Sequence, residues 1–107
     1  MDAHIKDFLA SEEAYYMDNH RYTAAAADIH YYDPDLPIDA QSGGTPAAER
    51  AGRISYFVDS SGVLTIGSAY STGYCIFAKD SPATGVVMRR AEPVTCLSVA
   101  KIAQTSF

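Results

Sequence analysis

The sequence predicts an α+β domain, an N-terminal α-helical spine packed on a roughly four-stranded antiparallel β-sheet. Ile5, Phe8, Leu9, Glu12, Tyr15 and Tyr16 recur at spacings of three and four, which puts them on one face of a helix. Beyond Arg53 the period falls to two, in short runs of β-branched and aromatic residues broken by Ser, Gly, Asp and Pro. The third observation is a cysteine pair, Cys75 and Cys96, late in that second half.

Length and composition bound the answer. A chain of 107 residues with 48% hydrophobic residues is long enough for one domain with a compact core. Charged residues make up 20%, which speaks against wholesale disorder. The net charge is −5, and the basic residues are scattered apart from Arg89-Arg90. Such a surface is poorly suited to phosphate backbones, so no nucleic-acid partner is expected.

The elements follow in order. Residues 2–18 read as a helix, about 25 Å long at 1.5 Å per residue, with Asp2 and Asp7 near its start to complement the helix dipole. Glu12 interrupts the apolar stripe, leaving that face mostly apolar but not dry. Lys6 and Glu13 fall on the solvated side. Asn19 suits a left-handed cap. Thr23 precedes four alanines and can accept a backbone N–H, which would open a second short helix over about 24–31. Ile29, Tyr31 and Tyr32 would dock that helix, and Asp33-Pro34 ends it, because the residue before a proline avoids the helical region. Residues 33–53 form a long connection through Gly43-Gly44, with a helical turn expected over 47–51. The strands are expected over 53–59, 63–70, 74–79 and 86–90, with one face of the meander on the helix and the other meeting water. Residues 94–102 are a tail able to form a short strand or a helical turn.

The two cysteines do not form C-x-x-C, and no second pair or histidine cluster completes a zinc set. An even count of two in a small acidic domain fits one disulfide in an oxidising compartment, Cys75 to Cys96. Two buried free thiols in a cytosolic protein are the alternative.

The stretch Glu13-Ala14-Tyr15-Tyr16-Met17-Asp18-Asn19-His20-Arg21-Tyr22-Thr23 resembles the junction between the long N-terminal helix and the globular head of type IV pilins and of the pseudopilins of type II secretion. The resemblance spans residues 3–28 and continues weakly through the β-rich half. It implies a pilin-like head: 1–18 the C-terminal part of the long helix, 19–52 an αβ-loop region with a short helix, and 53–107 the sheet and a disulfide-tied C-terminal region. It implies a structural subunit of an extracellular filament, with Tyr15, Tyr16, Asn19, Tyr22 and Thr23 packing the helix end against the head. Lys6 and Glu13 are then candidates for filament contacts. The expected partners are other pilin subunits and, before assembly, the inner-membrane machinery that processes, methylates and extracts the anchored subunit. A minor pilin or pseudopilin would look the same, and a secreted binding module without a filament role is the rival from another class.

Family members begin with a basic leader and a long apolar helix. Nothing of that kind precedes His4, and no apolar run approaches the roughly 20 residues that cross a bilayer. An engineered cut within the helix and a natively split subunit leave the same trace, and either piece is expected to be a soluble monomer.

Other chemistry finds little footing. His4, His20 and His30 have no short-spacing partner for a metal. Asp28, Asp33, Asp35 and Asp39 are dense, and some pseudopilins hold calcium in a head loop. Two prolines stiffen this stretch, however, and no loop-type Gly or bidentate Glu accompanies it, so it reads as solvated. Ser60-Ser61-Gly62 is turn chemistry, and adjacent Glu12 and Glu13 point apart on a helix. No cofactor, no metal and no catalytic residue are expected. Five of the eight tyrosines lie between Tyr15 and Tyr32, where packing comes before interface.

Overall fold

α1 (Ala3–Asn19) is a 17-residue helix in the computed structural model, which describes residues 3–38, 46, 53–70, 72–81, 85–91 and 96–104. Its stripe divides as the spacing demands: Ile5, Phe8, Leu9 and Glu12 are buried, and Lys6, Asp7, Glu13 and Met17 are exposed. Burying an apolar side chain of this size stabilises the fold by about 1.5–3 kcal/mol, so Ile5, Phe8 and Leu9 anchor the helix. The Phe8 ring lies 4.8 Å from that of Tyr56, tilted by 47°, an aromatic contact between helix and sheet.

α2 (Ala26–Tyr32) starts later than the alanine run suggests. Its N-cap is Ala25, in an extended conformation and with no side-chain cap, so Thr23 does not open the helix. Buried Ile29 docks it, Tyr31 points to solvent, and Leu36 seals the exit. Ile38 then bridges in parallel to Ile54, the residue before the sheet.

The sheet is an antiparallel meander of four strands in the order β1 (Ser55–Val58), β2 (Leu64–Ala69), β3 (Cys75–Ser81) and β4 (Gly85–Ala91). The register aligns Tyr56, Ile66, Ala78 and Met88 in one row across all four strands. That row packs with Ile5, Phe8 and Leu9 in the core beneath α1. The neighbouring row, Ser55, Gly67, Phe77 and Arg89, faces the other way. Gly62, at φ 82, closes the first hairpin, where Asp59 accepts from the backbone N–H groups of Ser61 and Val63 at 2.8 and 3.0 Å.

The second face of the sheet does not meet water across its width, contrary to the alternation argument. All six residues of β2 are buried because that face is covered as well. α3 (Val99–Ile102) lays Val99 and Ile102 against Ala69, Cys75 and Phe77. Ser98 caps this short helix by accepting from the Lys101 N–H, and Lys79 Nζ donates to the carbonyl of Ala103 at its end. Pro46 adds to the cover: a Cβ built on Gly67 would lie 2.7 Å from the Phe77 ring and 2.8 Å from Pro46 Cγ. Glycine is the residue that fits there. The disulfide joins Cys75, at the start of β3, to Cys96, with Cα atoms 5.8 Å apart.

The helical turn expected over 47–51, the glycine pair before Pro46, Asp2 and Asp39 all lie outside the described residues. Among the described residues, no helix is long and apolar enough to cross a membrane.

Candidate functional site: the helix–head junction

The turn that follows α1 brings Tyr15, Tyr16, Asn19, Tyr22 and Thr23 around the end of the helix. Asn19 is the last helical residue; its side-chain amide donates to the Tyr15 carbonyl at 3.0 Å. The left-handed position is His20, at φ 59, whose N–H reaches the Tyr16 carbonyl at 2.7 Å. The expected cap is therefore displaced by one residue: Asn19 does better by satisfying an orphan carbonyl from its side chain. Tyr16 and Tyr22 then pack ring against ring with centroids 5.0 Å apart. Arg21 Nη2 reaches the Tyr15 hydroxyl at 3.4 Å on the exposed side. Tyr32, at the end of α2, donates to Asp18 Oδ2 at 3.0 Å, and this bond raises the Tyr32 pKa.

Beneath these rings lies a buried polar cluster that the helical pattern does not announce. Glu12 has no exposed surface. Its Oε1 accepts from the Thr23 N–H at 2.7 Å, and its Oε2 has no partner among the described residues. Burial pushes its carboxyl up to about 8; the Thr23 bond opposes this, and the charges of Asp28 and Asp80 add to it. At neutral pH Glu12 is therefore mostly a neutral acid, so this face is dry where the pattern suggested hydration.

Thr23 is held three ways. Besides its N–H bond to Glu12, its hydroxyl donates to Asp28 Oδ2 at 2.6 Å and accepts from the Ala25 N–H at 3.0 Å. Across the cluster, Tyr56 donates to the Ala24 carbonyl at 2.7 Å. Burial, followed by the charges of Glu12 and Asp28, pushes its phenol up to about 12. Asp80 is the member that sequence reading missed, having been assigned to a turn. It lies inside β3, buried, on the same face as Ala78, and is hydrogen-bonded to Tyr22. Burial raises its pKa, and the Tyr22 hydrogen bond pulls the other way. The signal was its position two residues beyond Ala78, which is the sheet's own parity.

This cluster clasps the junction. Glu12 is fully buried, and Asp80 shows only 4% of its surface. A cleft of about 410 Å³ opens beside it, between Tyr16, His20, Arg21 and Tyr22 on one wall and the Asp59–Gly62 turn on the other. Lys6 and Glu13 are exposed on α1, and Glu13 is near enough to the junction for its charge to help raise the Tyr22 pKa, after burial and Asp80.

The histidines stay separate: His30 Nε2 pairs with the Leu36 carbonyl at 3.0 Å, and His20 is exposed in the turn. Among the described residues no group of three or more His, Cys, Asp or Glu is placed to hold a metal ion. Compared with known proteins, the chain matches no family model, and no curated protein or solved structure matches it.

Proposed function

We propose that this chain is the globular head of a type IV pilin, a structural subunit that joins extracellular filaments through its N-terminal helix. The observation that carries the reading is the placement of α1. One face of the helix is spent on the sheet through Ile5, Phe8 and Leu9, and an exposed flank beside it presents Lys6, Glu13 and Met17, the last 80% exposed. A rod half-buried in its own head and half open is what lateral stacking of subunits requires. The contacts are heterologous, one patch meeting a different patch on the next copy, so they propagate. The junction clasp supports the same reading, because a head carried on a rod needs a stiff neck. On this reading the subunit is held in the inner membrane by an apolar helix before assembly, and it has no catalytic role.

Antibody raised against the head tests the proposal by immunogold labelling of filaments sheared from the source cells. Labelling along the filament shaft is expected. Label confined to rare tips or to the envelope would shift the assignment to a minor pilin or a pseudopilin. Antigen found only free in the medium would overturn the filament reading in favour of a secreted binding module.

A further inference from the structure

The two edges of the sheet differ in charge. At the β1 edge, the Ile54 N–H donates to the Pro37 carbonyl at 2.8 Å, and Ile38 bridges to Ile54. This anchors the turn that carries Asp33 and exposed Asp35 to that edge. Asp33 and Asp7 also line a crevice of about 320 Å³ between α1 and α2, with Ala10 and Ala14 among its walls. Its carboxylates and small side chains leave room for a long cationic one.

The far edge is β4, which pairs with β3 and with no other strand among the described residues. Val86 and Val87 are 42% and 43% exposed there. Arg89 and Arg90, the one basic pair in an otherwise acidic chain, are exposed on the same strand. Strand alternation puts Arg90 on the α1 side of the sheet with Met88, and Arg89 on the other side. Three strand spacings, roughly 14 Å, separate the edges, so one copy cannot join its own acidic and basic ends.

We propose that the basic β4 edge of one copy docks on the acidic 33–35 corner of a second copy, head to tail. The occupant is a second copy because this chain carries both halves of the complementary pair, on opposite edges of one sheet. Opposite placement makes the contact heterologous, so it repeats rather than closing into a pair. Pro34 and Pro37 lack backbone N–H groups, so the acidic corner does not extend the β4 ladder as a fifth strand. Arginine side chains and the two valines make the contact instead. This proposal rests on the filament reading, in which neighbouring heads touch, and it adds which surfaces meet.

Sedimentation equilibrium of the 107-residue chain tests it against the soluble monomer that the sequence reading expects. Self-association at about 0.02 M ionic strength is expected to weaken at least tenfold at about 0.3 M, because exposed charges are screened. R89E/R90E and D33K/D35K should each abolish it, and an equimolar mixture of the two variants should restore it. Restoration also shows that both variants are folded. No association of the wild-type chain, or no rescue in the mixture, overturns the proposal. Loss in R89E/R90E with D33K/D35K unaffected also overturns it, in favour of β4 pairing with β4. These outcomes leave the filament reading standing, and absence of the head from filaments leaves the solution result standing.

Discussion

Glu12 makes a prediction whose sign follows from burial alone. Its carboxyl titrates near the ordinary 4.5 in the unfolded chain and at about 8 in the folded one. Between those values the folded state holds a proton that the unfolded state has released. The stabilisation is therefore fully present below about pH 4.5 and is lost as pH rises through about 8. At about 1.4 kcal/mol per pH unit, the interval amounts to as much as about 5 kcal/mol, a large share of the stability of a small domain. Asp80 shifts in the same direction and adds to the slope.

The discriminating substitution is Glu12→Gln. The amide keeps an oxygen for the Thr23 N–H and replaces an oxygen that has no partner. It cannot ionise. Urea unfolding midpoints across the pH range provide the assay. At about pH 5 the variant should lie within about 1 kcal/mol of the wild type, and at about pH 9 it should be several kcal/mol more stable. Any slope left in the variant on the acid side has the sign expected of Asp80, whose pKa burial also raises. Wild-type stability that is flat from about pH 5 to about pH 9, or a Gln variant with the same slope, would refute the assignment of a neutral buried acid.

Four further changes have worked outcomes. Replacing both Cys75 and Cys96 by Ser should cost about 3 kcal/mol by the chain-entropy relation for a sequence separation of 21, read from thermal unfolding with and without the bond. Gly67→Ala should cost about 1–3 kcal/mol, since its Cβ would collide with the Phe77 ring and Pro46; a neutral result would mean that both neighbours give way at no cost. Tyr56→Phe removes the bond to the Ala24 carbonyl and should cost about 1 kcal/mol, with the loss absent once the helix–sheet contact is already unfolded. Exchanging Lys6 and Glu13 for residues of opposite charge should change stability by less than about 0.5 kcal/mol; if the proposed filament role holds, it should also lower incorporation, measured by the ratio of filamentous to membrane-held subunit.

Local pattern made most of the fold legible. The 3.6-residue period identified the buried side of α1 down to Ile5, Phe8 and Leu9, and the two-residue period gave each strand to within a residue or two. The cysteine count pointed to the disulfide that joins β3 to the C-terminal segment. What escaped was decided by tertiary contact. Glu12 read as a break that kept the apolar face from being dry, and Asp80 as a turn residue after the third strand, because the sequence does not reveal which carboxylates the core will close over. The second cover of the sheet was missed because α3 is four residues long, too short for periodicity to register. His20 took the left-handed position from Asn19 because a side-chain bond to the Tyr15 carbonyl competed with the backbone preference.

The distribution of polar groups bears on how α1 is held to the rest of the domain. In the first half of α1, Ile5, Phe8 and Leu9 are buried in apolar contacts that have no direction of their own. Its last two turns are held by directional bonds: Glu12 to the Thr23 N–H, and Tyr32 to Asp18. Tyr56 extends this bonding by joining the sheet to the same connection through the Ala24 carbonyl. A pull along the helix axis would therefore be resisted first at the neck, where bonds from the helix, the connection and the sheet converge within a few residues. Ionising Glu12 puts an unpaired charge into that convergence. If the head is carried on a rod, alkaline pH should loosen the neck before the sheet, whose far face is secured by the disulfide and α3. Hydrogen exchange at rising pH distinguishes the two: earlier loss of protection at Thr23 and Ala25 than at Ile66 and Ala78 is expected, and simultaneous loss would mean that the neck and the sheet unfold as one unit.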